Sequence, residues 1–246
     1  MQADYWRLRN SVLLADLVML AVVGFGFVRF PQLTGVPLDE AITAGFLVGV
    51  IWLASLVALI SLRAVTPAAA IARRNGVLLG LSLGGLWILY ILVSHLAIPL
   101  QEKPTLGGLF TLVTLALTTC AVLIVSALSG WHTRAITSGL GVGFWAGLIA
   151  GVLSTLTVLL MLYLGMGFLV QAMNAGELQA FAQSGWQNRA AWYFWNEEIT
   201  GSLGYFLLLV WGGSVLGSLG GMLGKLLNVL RRTAVPDAEP SSVTRV

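Results

Sequence analysis

Six continuously apolar stretches, separated by short segments that hold nearly every charge, constrain this chain more than any other feature. They run approximately over residues 11–28, 41–62, 76–98, 106–128, 137–164 and 201–224. Each reaches or approaches the roughly 20 residues that cross about 30 Å of hydrocarbon at 1.5 Å per residue. Of the 246 residues, 58% are hydrophobic and only 9% charged. A soluble domain carries about a quarter charged residues, so too little polar surface exists here to cover a water-exposed globule. The stretches are continuous rather than alternating, which selects helices over a membrane β-barrel. The expected fold is all-α: a polytopic bundle of six transmembrane helices over residues 1–232, followed by a disordered cytoplasmic tail, 233–246.

The basic residues set the expected orientation. With the N-terminus inside, the cytoplasmic segments hold Arg7, Arg9, Arg63, Arg73, Arg74, Arg134, Lys225, Arg231, Arg232 and Arg245. The opposite side holds Arg29, Lys103 and Arg189. Ten against three supports both termini in the cytoplasm. The acids segregate the other way: Asp39, Glu40, Glu102, Glu177, Glu197 and Glu198 fall outside. Short loops and this basic bias fit a bacterial plasma membrane. Arg7 and Arg9 precede an apolar run as in a signal peptide, but no small-residue cleavage pattern follows it, so the first span reads as uncleaved.

Glycine spacing is the second constraint. Gly139, Gly143, Gly147 and Gly151 recur every four residues in span five; Gly213, Gly217 and Gly221 do so in span six, with Gly220 and Gly224 as a second pair. Span three begins with Gly76, Gly80 and Gly84. Four residues are one turn plus about 40°, so each row is a slowly drifting groove without side chains, the surface through which helices associate in lipid. Spans five and six run in opposite directions, which puts both grooves in the cytoplasmic half. Close contact of spans five and six is expected there, with span three as a third member. The spacing leaves open whether the contact lies within one chain or between copies.

The longest loop, about 171–200, is expected outside. A short amphipathic helix is predicted over 175–183. Trp186, Trp192 and Trp195, with Glu197 and Glu198, mark a surface at headgroup level or a docking site. Gly165 and Gly167 are expected to mark where span five bends or leaves the membrane.

Chemistry-bearing residues are few. Asp16 is the only carboxylate inside a span; an intramembrane acid is a functional hypothesis by default, and its shallow position favours a structural role, neutralised or paired with Arg9 or Lys225. His95 lies near the outer end of span three and reads as a hydrogen-bonded interfacial histidine, with a single-His haem or chlorophyll-type ligand as the alternative. No cofactor or metal is expected. Cys120 is the only cysteine, read as a small buried hydrophobe. The segment 63–75 is a candidate surface helix. Neither a catalytic constellation nor a phosphate-binding glycine loop is present, and the basic residues are too scattered for nucleic acid.

The reading is therefore a non-catalytic accessory, scaffold or assembly subunit. Its expected partners are the bilayer and another membrane protein or a second copy. Six spans, both ends inside and a long outer loop before span six also resemble the membrane subunits of export-type ABC transporters. That architectural resemblance implies a permease subunit as the second reading.

Overall fold

The structure is a computed structural model. It describes residues 2–29, 38–63, 66–96, 104–171, 179, 182–183 and 190–234. These form an all-helical protein built from α1 (Gln2–Arg29), α2 (Leu38–Ser61), α3 (Pro67–Leu96), α4 (Pro104–Thr133), α5 (Ile136–Gln171), α6 (Ala190–Leu207), a π turn (Leu208–Gly212) and α7 (Gly213–Ala234). Among the described residues, five helical stretches are long and apolar enough to cross a membrane: Leu8–Gly26, Pro67–His95, Thr105–Thr133, Ile136–Gly165 and Glu197–Arg231. Gly45–Ser61 is a shorter apolar helix. Helices suit such sequences because each backbone N–H and C=O is satisfied inside its own segment, where lipid offers no partner.

The helix ends follow local chemistry. Both α3 and α4 begin at a proline, whose fixed φ and missing N–H suit the first helical position. Thr66 caps α3: its hydroxyl accepts the Ala69 N–H at 3.2 Å. Residues 67–75 are thus the first turns of α3, not a separate surface helix. Between α4 and α5 only Arg134 and Ala135 intervene. Arg134 takes a left-handed conformation (φ 58°), and the Thr133 and Ser138 hydroxyls meet at 2.6 Å across the turn. A sharp reversal so short forces α4 and α5 to lie side by side and antiparallel.

Two helices depart from expectation in length. α5 continues unbroken through Gly165 and Gly167 for 36 residues, about 54 Å at 1.5 Å per residue. Neither glycine ends it, because a glycine inside a long apolar helix keeps its backbone N–H for the i→i−4 bond. At the other departure, residues 190–200 are not loop. They are the opening turns of α6, and α6, the π turn and α7 form one rod. Of the predicted helix over 175–183, only 179, 182 and 183 are described, all helical; Trp186 and the tail from residue 235 lie outside the described residues.

α5 is the central rod. α3 packs along one side of it, and α6, the π turn and α7 along another; α4 lies against α7 and also touches α3 and α5. Its buried members include Trp145, Leu148, Val158, Leu159 and Leu162. α1 and α2 form a peripheral pair, attached to α5 and α6. Phe25 of α1 meets Tyr163 of α5 edge-on at 6.0 Å. Leu13, Leu14, Leu17 on α1, Leu109, Leu112, Leu117 on α4 and Leu219, Leu223, Leu227 on α7 are exposed, as expected of faces whose solvent is hydrocarbon. Cys120 is exposed on the same outer side of α4, not buried. Its neighbours two positions away on either side, Thr118 and Val122, are buried instead, because α4 turns only one stripe inward.

The described partner of Asp16 is neither Arg9 nor Lys225. Its carboxylate accepts a hydrogen bond from Ser55 of α2 at 2.7 Å. Arg9 instead lies 3.7 Å from the centre of the Trp6 ring, a cation–π contact, and reaches Asn10 at 3.4 Å. The acid therefore joins α1 to α2.

Candidate functional site

The two ends of the bundle are built on different principles. One end carries the Arg134 turn; the other carries the C-terminus of α3 and the N-terminus of α6.

At the Arg134 end the helices meet backbone to backbone. A Cβ placed on Gly139 falls 2.5 Å from the Gly217 carbonyl oxygen. On Gly143 it meets the Gly213 carbonyl oxygen directly and lies 2.9 Å from the Gly217 Cα. On Gly147 it meets the Leu209 carbonyl, and on Gly151 it reaches the Phe206 ring at 3.0 Å. The relation is reciprocal: from the α7 side, a Cβ placed on Gly213 falls 2.7 Å from the Gly143 carbonyl oxygen, on Gly217 2.5 Å from that of Gly139, and on Gly221 2.6 Å from that of Ile136. The hydrogen that glycine carries in place of a side chain thus points at a carbonyl of the facing helix, the weak Cα–H···O contact of close helix pairs. All these contacts lie within one chain.

The opposite side of α5 receives α3. A Cβ on Gly76 falls 2.7 Å from the Trp145 Cβ and on Gly80 2.9 Å from the Ile149 Cβ, while on Gly84 it meets Leu153. α4 is docked on α7 in the same way: a Cβ placed on Gly220 falls 2.7 Å from the Leu123 carbonyl oxygen, on Gly224 it meets Ala127, and on Gly130 it meets Gly221. Gly130 has no regular glycine partner along α4, so spacing alone does not single it out.

At the other end, large side chains fill wider gaps. Trp87 of α3 is fully buried, donates its indole N–H to Thr118 of α4 at 3.2 Å, and lies 5.2 Å from Tyr90 and 5.5 Å from Tyr205. Tyr90 stacks on Phe110 at 5.5 Å. Its hydroxyl is 3.0 Å from the Thr111 hydroxyl, and its ring lies edge-on to Tyr205 of α6 at 6.4 Å. This aromatic block joins α3, α4 and α6.

Above it, two polar candidate residues from different parts of the sequence come together. His95 Nε2 lies 3.6 Å from Glu198 Oε1, with the two side chains 24% and 14% exposed. His95 Nδ1 is 2.8 Å from the Ile91 carbonyl oxygen. A carbonyl only accepts, so Nδ1 carries the hydrogen. Both ring nitrogens therefore face protein groups. Glu197 is exposed beside it. Trp192 and Trp195 belong to the opening turns of α6, in helix rather than loop, and their side chains lie outside the described ones. The aromatic and acidic residues read as a separate outer surface are thus partly the start of span six, and Glu198 is turned into the bundle.

Between the two ends lies the π turn, where one extra residue is accommodated. The Gly213 N–H is shared between the Leu209 and Val210 carbonyls. A cavity of about 60 Å³ adjoins the turn, lined by Leu83, Trp87, Thr118, Val122, Gly147 and Leu209 among others, room for about two waters. π turns are rare and cluster at functional sites; no sequence pattern marks this one. Thr155 and Ser202 are fully buried, and their hydroxyls have no hydrogen-bond partner among the described residues. The register of the Gly151–Phe206 contact places them opposite one another, one turn further along. Among the described residues no group of three or more His, Cys, Asp or Glu could hold a metal ion.

No protein-family model, curated protein or solved structure matches this chain.

Proposed function

We propose that this protein is a non-catalytic accessory or scaffold subunit of a membrane complex. It is a six-span bundle with both termini cytoplasmic, in a bacterial-type plasma membrane. The observation that carries the reading is the clamping of α5 from two sides by glycine-mediated contacts with α3 and α7. A transport mechanism needs helices that exchange between packings, whereas bare backbone seated against bare backbone leaves no room for sliding. The block is a fixed base, and the α1–α2 pair and the start of α6 are what it displays to a partner.

Purification of the tagged chain from its native membrane in mild detergent, after brief cross-linking, tests this. A stoichiometric integral membrane partner is the expected result. Recovery of the chain with lipid alone sinks the proposal, and a bound ATPase replaces it with the permease reading. The orientation has its own test in a Cys120→Ser background. A membrane-impermeant maleimide applied to intact cells is expected to label Glu197→Cys and to spare Arg74→Cys and Arg134→Cys. The reverse pattern inverts the topology.

A further inference from the structure

We propose that the cavity beside the π turn is a lipid site, which takes the methyl end of one acyl chain from the surrounding bilayer. Such a site requires only that the helices lie in lipid; it is independent of orientation and of the scaffold role. Its place in the fold follows from two ways of packing α4. On the Arg134 side α4 is seated on α7, where a Cβ on Gly220, Gly224 or Gly130 would collide with the facing helix. Among the described residues, α4 makes no extended contact with α6 or with the π turn. It is tied to α3 instead, by Trp87 to Thr118 and by the Tyr90–Phe110 stack. α4 and the rod therefore fork at the π turn, with α3 closing the back, and the cavity of about 60 Å³ occupies the fork. Leu115 of α4 and Leu208 of the π turn line it and are also 37% and 50% exposed, so the fork opens between them onto a face that hydrocarbon wets. Gly212 lines the same opening. Unlike the glycines of the clamp, it would meet nothing within 4 Å if it carried a Cβ. No neighbour among the described residues accounts for its missing side chain.

Polarity and size select the occupant. The lining is almost wholly apolar. The Thr118 hydroxyl is already used twice, accepting from Trp87 and donating to the Thr114 carbonyl at 2.8 Å. The Gly213 N–H is held by two carbonyls, and Thr119 is the other hydroxyl in the lining. A buried water needs two to four polar partners; these walls are too poor in them, although the volume alone would admit water. A pocket that encloses a whole small molecule measures roughly 300 Å³ or more. This one is far smaller, so its occupant enters by one slender apolar end and leaves the rest outside. Depth names the molecule. Thr119 is the central residue of the apolar stretch Thr105–Thr133, Gly213 lies one residue from the centre of Glu197–Arg231, and Leu83 lies two from the centre of Pro67–His95. The cavity is thus level with the middle of the spans, where the acyl chains of the two leaflets end. A chain tip seated there makes the dispersion contacts that an empty fork forfeits.

Photolabelling tests the site in the full chain in phosphatidylcholine nanodiscs. The bilayer carries a trace of phosphatidylcholine with a diazirine at the methyl end of one acyl chain, and insertion is mapped by mass spectrometry. Leu17, exposed and central in the stretch Leu8–Gly26 of α1, reports ordinary lipid contact at the same depth. Labelling of Leu115, Thr119 and Leu208 is expected to exceed that of Leu17 several-fold. Gly212→Leu, which fills the opening, is expected to bring it down to the Leu17 level while Leu17 itself is unchanged. Leu115→Trp narrows the opening from α4 and serves where Gly212→Leu does not fold. A diazirine next to the glycerol is expected to leave the cavity unlabelled. Labelling no stronger than at Leu17 overturns the site, as does enrichment that survives both substitutions or that follows the glycerol-end probe. Labelling absent at Leu17 as well overturns the membrane embedding on which the site depends.

Discussion

Gly143→Ala is expected to cost more than about 3 kcal/mol and to abolish recovery of folded protein from detergent, whereas Gly85→Ala is expected to change stability by less than about 1 kcal/mol. The two substitutions add the same methyl group to neighbouring helices of one bundle. At Gly143 that methyl coincides with the Gly213 carbonyl and lies 2.9 Å from the Gly217 Cα. Its neighbour is backbone, which cannot rotate aside as a leucine tip can, so the cost exceeds the usual 1–3 kcal/mol of core overpacking. At Gly85 nothing lies within 4 Å, and alanine is the better helix former by about 0.8–1 kcal/mol. Gly84→Ala should fall between them, because the atom it meets belongs to the flexible Leu153 side chain. Thermal denaturation monitored by size-exclusion chromatography ranks the three. Equal melting temperatures for the Gly85 and Gly143 variants would remove the backbone clamp from the account.

Trp87→Ala is the second large effect, about 3 kcal/mol of destabilisation, at the low end of the range for deleting a buried aromatic ring. The low end applies because lipid is as apolar as the protein interior. The hydrophobic transfer term that operates in water is largely missing, and lost packing remains. That loss is broad here. Trp87 touches Tyr90 and Tyr205, donates to Thr118, and forms one wall of the cavity beside the π turn. Trp87→Phe keeps the ring contacts and forfeits the hydrogen bond, so it should cost about 1 kcal/mol. If the Ala and Phe variants melt together, the hydrogen bond rather than the packing anchors α4 to α3.

What could be read from the sequence follows the range of each interaction. Long apolar runs and four-residue glycine spacing are local patterns, visible within one helix. They register because the bilayer imposes a length and the helix imposes a period. Pairings across the fold are not local. His95 and Glu198 are separated by 103 positions, and nothing near either names the other. They came from two different classes of candidate, one set aside as a ligand and the other as a loop surface. Asp16 drew its expected partners from charge, Arg9 and Lys225, yet its partner is the neutral Ser55; in a poorly polar interior a hydroxyl satisfies a carboxyl group without importing a second charge. The start of α6 was misplaced for a related reason. Tryptophans beside glutamates are the signature of the headgroup layer, but the same residues continue a helix readily. The π turn has no residue signature, since it is a matter of hydrogen-bond register.

The central position of α5 also bears on how the protein is made. Its partners α3 and α4 precede it in the chain, while α6 and α7 follow it. During synthesis α3 can dock on α5 as soon as both are inserted, but the glycine face that α7 covers stays open until the last helix emerges. A chain halted before Gly213 is therefore left with an adhesive stripe directed into the lipid. Quality control in the membrane could recognise an unfinished copy by that stripe, and a partner with a small-residue helix could occupy it first.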